Sequence, residues 1–129
     1  MSSESLHVPR EVLSPEGRLL HHAITSLKEE LDAADWYRQR ADDTEDDALK
    51  ELLLHNMREE MEHASMLIEW IRRHNGDFAG HLQTYLFTQA PIVGIERAVE
   101  AGADKGVAGS MPRPAADRTV TIGSLKGQR

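Results

Sequence analysis

The chain has 129 residues, of which 40% are apolar and only 5% aromatic. That suits one small helical domain with a modest core better than an aromatic-rich sandwich, and no run approaches the roughly 20 apolar residues that span a membrane. There is no cysteine, which excludes disulfides and thiolate metal sites and fits a cytosolic protein. Net charge is −7, but residues 102–129 carry five Lys/Arg against two Asp, so residues 1–101 carry −10. An acidic body argues against binding nucleic acid through its phosphates and suits cations instead. The basic tail reads as a separate unit.

Residues 1–13 show no periodicity and read as a loose arm, with no basic region and apolar run of the secretory kind. Ser14–Pro15–Glu16 then reads as a helix start: an N-cap serine, a proline in the first turn and an acid near the positive end of the dipole. Nothing breaks the helix before Ala41. Ala23, Leu27, Glu30, Ala34, Tyr37 and Ala41 recur by four and three, which is one face of a helix. The run DDTEDD, residues 42–47, is a polar turn, with Thr44 and Asp47 spaced as a cap. A second helix runs to His74, where Asn75–Gly76 supplies a stop. Its stripe is Leu49, Leu53, Asn56, Glu60, His63, Leu67 and then Trp70 or Ile71. The short turn predicts antiparallel neighbours. HLQTYLFTQ reads as a candidate short helix, and Pro91 opens another, PIVGIERAVEA. Glycines and prolines between 102 and 118 mark a linker, and TVTIGSLKGQR, residues 119–129, closes the chain. The domain body thus spans 14–101.

Two polar residues on the second stripe, Glu60 and His63, form an E-x-x-H pair. At i and i+3 their side chains leave the helix about 60° apart and reach one ion. On the first helix the matching intruder is Glu30, between Leu27 and Ala34. Ionised groups facing a core are costly unless paired or metal-bound, and carboxylates with an imidazole suit iron, manganese or zinc. E-x-x-H alone is common on solvated helices. Glu4 and His7 repeat it on the loose arm, with no second partner, and read as exposed. Glu62 shares the outer polar face with Glu51, His55, Arg58 and Glu69. Glu29, Asp32 and Trp36 share a flank of the first helix, which reads either as a weak cation site or as a solvated surface. Tyr37, on the Glu30 stripe, packs or hydrogen-bonds a ligating carboxylate. Met57, Met61 and Met66 read as core filler rather than ligands.

Carboxylate-bridged di-iron bundles take a Glu from each of two helices and a Glu-x-x-His from each of the other two. This chain has one helix of each kind, so it holds half of a site, and two chains about a two-fold axis would supply the rest. The expected fold is all-α: an antiparallel two-helix hairpin plus a short C-terminal helix, forming a ferritin-like four-helix bundle by dimerisation.

The segments SLKEELDAADWYRQRAD, LLLHNMREEMEHASMLIEWIRR and LFTQAPI, in that order, closely resemble the encapsulated ferritins across most of residues 14–100. The resemblance implies a ferroxidase centre formed across a dimer, and a decameric ring of five dimers. It puts iron ligation at Glu30, Glu60 and His63 with Tyr37 beside them. It implies a second, weaker metal site for a divalent cation such as calcium or zinc at Glu29, Asp32 and Trp36, where Asp32 is one methylene shorter than the glutamate that members of the family carry. TVTIGSLKGQR resembles the peptides that dock cargo inside encapsulin shells, with Val120, Ile122 and Leu125 as apolar anchors. The implied setting is a nanocompartment in bacterial or archaeal cytoplasm, with no nucleic acid or membrane partner. The rival expectation is a non-catalytic helical cargo or adaptor, its dimer merely stabilised by zinc. A rubrerythrin-like peroxide-consuming protein fits less well, because such proteins usually carry all four helices in one chain.

Overall fold

The computed structural model describes residues 6–104, with side chains through Gly102. Every regular element among them is helical: a 3-10 turn at Arg10–Val12, then α1 (Pro15–Asp43), α2 (Asp47–His74), α3 (Gly76–Tyr85) and α4 (Ile92–Asp104). The C-terminal part holds two short helices, one over most of the candidate HLQTYLFTQ segment and one after Pro91. The chain divides near the end of α3 into two units, Met1–Gln83 and Thr84–Arg129.

α1 starts as its sequence dictates. Ser14 Oγ accepts from the Gly17 N–H at 2.9 Å, and Pro15 occupies the first turn, where no amide donor is needed. A Cβ on Gly17 would sit 3.2 Å from that hydroxyl oxygen, so glycine keeps room for the cap. α1 ends where Thr44 turns extended and its N–H donates to the Arg40 carbonyl. The cap of α2 is Asp46, which accepts from the Leu49 N–H at 2.8 Å, and not Thr44. Thr44 is taken up by the turn, its hydroxyl accepting from the Asp46 N–H. The link is so short that the expected cap position already belongs to the end of α1.

The two long helices, of 29 and 28 residues, each run roughly 40 Å at ~1.5 Å per residue. They pack as a hairpin whose buried line is Ala23, Ala34 and Ala41 on α1 against Met57, Ala64 and Ile71 on α2. Alanines on one side let the backbones approach. They also make a thin core, in which Ile71 is the one large side chain buried below 2%. The α1 face is the expected one. On α2 the buried line is turned about 60° from the expected stripe: Leu53, Asn56, Glu60 and Leu67 are half-buried at its margin, and Leu49 and His63 are exposed. Met57 fills the core, but Met61 and Met66 are exposed, contrary to their reading as filler.

Asn75–Gly76 ends α2 at His74 as expected, and it also starts the next helix. The Asn75 N–H closes α2 on the Ile71 carbonyl, while its side-chain oxygen accepts from the Phe78 N–H at 2.8 Å and starts α3. The backbone of Asn75 is extended, so Gly76 serves as the first residue of α3 and not as a left-handed cap. In the last turn of α2, Glu69 accepts from Arg72 and Arg73, which hold its carboxyl down at about 2. His74 stacks on Trp70 and donates to its carbonyl.

In the second unit, Phe87 adopts a left-handed φ of 63° and is 98% exposed. The Ile95 N–H donates to the Pro91 carbonyl and opens α4, which runs through Gly102, where the linker was expected to begin, as far as Asp104. Glu4, the rest of the linker and the tail at 119–129 lie outside the described residues.

Truncating Ile71 to alanine should cost about 2–4 kcal/mol by removing buried methyls and leaving a cavity. Val12→Ala, at a site 68% exposed, should cost well under ~1 kcal/mol. Denaturation midpoints at one fixed protein concentration check the pair.

Candidate metal centre

Glu30 lies near the middle of α1 and Glu60 and His63 near the middle of α2, where the hairpin is held by alanines on both sides of the group. One ligand atom from each of the three lies within 4.8 Å of the other two. His63 Nδ1 stands 3.2 Å from Glu60 Oε1 and 3.6 Å from Glu30 Oε1. The i,i+3 spacing on α2 sets the first distance, and the hairpin register sets the second. The carboxylates are half-buried, while the imidazole is the more open of the three. No other Asp, Glu or His joins the group among the described residues. The geometry thus adds no candidate ligand that the helical phase had missed.

The electrostatics follow from two acids facing each other. The hydrogen bond with Glu60 holds the Glu30 carboxyl above its ordinary range, and desolvation pushes the same way. Glu60 is held below its range, chiefly by that same hydrogen bond and also by His63. The two carboxylates are thus pushed apart in acidity, Glu30 being the weaker acid and Glu60 the stronger. His63 is raised, first by its hydrogen bond to Glu60 and further by both negative charges. A hard or borderline divalent cation suits the group, since two carboxylate oxygens and an imidazole nitrogen are the donors such ions take. Three donors fall short of the four to six that such ions require, and the open side faces solvent.

The remaining candidates lie apart from this cluster. Tyr37, two turns along α1 from Glu30, is half-buried, and its hydroxyl makes no hydrogen bond to either carboxylate. The Arg40 guanidinium lies 5.6 Å from its ring centroid. Glu29, Asp32 and Trp36 are all exposed and do not join a three-ligand group. Glu62 is exposed on the outer face, as its phase requires, and His55 pairs there with Glu59 at 3.8 Å. No described helix is long and apolar enough to cross a membrane.

Comparison with known proteins agrees with this architecture. A family model described as EncFtn-like matches residues 5–89. An encapsulated ferritin-like protein of Rhodospirillum rubrum is 48% identical over 130 residues, covering 98% of this chain and 91% of its own. A ferritin-like protein of Thermotoga maritima is 42% identical over 102 residues, 79% of this chain and 90% of its own. An encapsulin nanocompartment cargo protein of Myxococcus xanthus is 31% identical over 121 residues, 92% of each chain. A crystal structure of a Nitrosomonas europaea protein, 50% identical, superposes with a TM-score of 0.66 over 68% of this chain and 97% of its own. With the family model matching well over half of the chain and a relative aligned along nearly all of it, this all-α protein belongs to the encapsulated ferritin, or EncFtn-like, family.

Proposed function

We propose that the protein is a ferroxidase whose di-iron centre forms where two copies meet, each giving Glu30, Glu60 and His63. The observation that carries this is the convergence of those three ligand atoms within 4.8 Å on the margin of a hairpin. One chain supplies three donors; two chains about a two-fold axis supply six, enough for a pair of ions. The thin core supports the same reading. Leu52, about half exposed, lies on the His63 side of α2, within about 20° of it around the axis, so a second chain that completes the centre would also cover it. A ring of such dimers, a decamer in the family's pattern, would cover more of the apolar surface.

Fe(II) enters as substrate. The carboxylates favour its Fe(III) form, because they give negative charge to a hard cation. Each ion loses one electron, and dioxygen or peroxide accepts them. The glutamates ligate as carboxylates and His63 as the neutral imidazole. Tyr37 would hydrogen-bond a ligating carboxylate only once the centre is assembled. Glu29 and Asp32, exposed beside Trp36, would serve as a weak cation station outside it. The hairpin encloses no storage volume, so mineral would collect in a surrounding encapsulin shell, reached through residues 119–129. The alignment with the Rhodospirillum protein supports that last step, because at 98% coverage it takes in most of residues 105–129.

Because Glu30 and His63 are both raised and must deprotonate to ligate, Zn(II) should bind more tightly at pH 7.5 than at pH 5.5, releasing protons. Calorimetry at the two pH values reads this. His63→Ala should abolish the difference along with the binding, and Glu62→Ala should change neither. Affinity that stays flat with pH would contradict ligation by these groups.

Aerobic addition of Fe(II), followed by near-ultraviolet absorbance, tests the activity itself. Catalysed oxidation above the protein-free rate is expected. It should be lost, by at least about tenfold, in Glu30→Ala, Glu60→Ala and His63→Ala. Mixing the Glu30→Ala and His63→Ala chains should not restore full centres, since each centre uses both copies of every ligand. Zinc retention without iron turnover would instead indicate a metal-stabilised adaptor.

Removing residues 119–129 should leave that oxidation rate unchanged while abolishing loading into a co-expressed encapsulin shell, and Leu125→Asp should weaken loading. Equal loading of all three chains, read by shell purification, would show that the tail is not the address.

A further inference from the structure

Where the 3-10 turn meets the start of α1, a hollow of about 150 Å³ is lined by Leu6, Arg10, Leu13, Arg18, His21 and His22. Four of these six side chains carry N–H donors and none is a carboxylate. Arg18 spends one N–H on the chain, donating from Nη2 to the Arg10 carbonyl at 3.1 Å. Its Nε is buried and donates to nothing. Neither arginine forms an ion pair with a described residue. The rings of His21 and His22 stand beside one another, 6.0 Å apart and tilted by 51°.

In a chain of net charge −7, basic groups rarely want for a carboxylate. The contrast with the far end of the hairpin is direct: Arg72 and Arg73 both close on Glu69, and Arg38 closes on Asp42. The Arg18 guanidinium is partly buried and has no carboxylate partner among the described residues, which is costly, and the planar fork of an arginine matches the oxygens of an oxyanion. Leu6 and Leu13 form the apolar part of the lining. The volume is several times the ~30 Å³ share of a water molecule, room for a tetrahedral anion with some of its hydration.

We propose that this hollow binds a small tetrahedral oxyanion of the phosphate class, held by the Arg10 and Arg18 guanidinium groups, with His21 and His22 supplying further N–H donors. The site stands on its own side chains and does not depend on the metal centre, whose first ligand, Glu30, lies two turns further along α1. The competing explanation is that the arginines merely lay their stems over the two leucines.

Calorimetric titration of the full-length protein with sodium phosphate, at constant ionic strength, separates the two. Saturable binding near one phosphate per chain is expected, weakened about tenfold or more in Arg18→Gln and in Arg10→Gln and unchanged in Arg38→Gln. Arg10 is exposed, so its variant tests the site even if Arg18→Gln disturbs the fold. Parallel titrations with citrate and chloride ask whether a carboxylate source or charge alone suffices. Absence of saturable binding, equal binding by the Arg10 and Arg18 variants, a comparable loss in Arg38→Gln, or citrate or chloride matching phosphate would overturn the proposal.

Discussion

Two carboxylates that meet across a helical seam repel unless a proton or a cation lies between them. Glu30 and Glu60 are in this position, and much about the hairpin follows from how the repulsion is relieved. Without metal, the hydrogen bond between the two carboxyl groups and the raised imidazole of His63 offset it. This keeps the group compact but weakly bound, since one face of it is open to water. A divalent cation relieves the same repulsion more completely, and does so best when a second set of ligands closes the open face.

The thin core is the mechanical counterpart of that arrangement. A seam of alanines on α1 draws the helices together and fixes the register that brings Glu30 to His63. It also limits how much apolar surface one chain can bury. Large apolar side chains on both long helices remain about half exposed, so the surfaces that would stabilise a larger core lie on the outside of the hairpin. In the proposed dimer, the contact that completes the ligand set would also cover the part of that surface on the His63 side of α2, which would couple metal loading to assembly by mass action.

The site was more legible in the sequence than the packing around it. Glu30, Glu60 and His63 stood out because ionisable residues interrupted an apolar helical phase, and helical phase is reliable over helices this long. The buried line of α2 was misjudged by about 60°, because the stripe averages the seam with surface that a single chain leaves open. Met61 and Met66 misled for the same reason. Capping was ambiguous in DDTEDD, where several acids in a row offer themselves and only the length of the turn selects Asp46. Asn75–Gly76 marks the end of α2 correctly; that it also opens α3 is not legible, because the residues that close one helix also open the next. The hollow at Arg10 and Arg18 had no sequence signature, since its residues are gathered by the 3-10 turn rather than by any period.

The half-site idea is exposed most directly by anomalous diffraction from crystals of the metal-loaded protein. Two metal peaks about a two-fold axis between chains are expected, with Glu30, Glu60 and His63 of both copies about 2 Å from them. A metal ion coordinated on the outer face by Glu62, or a centre completed within a single chain, would contradict it.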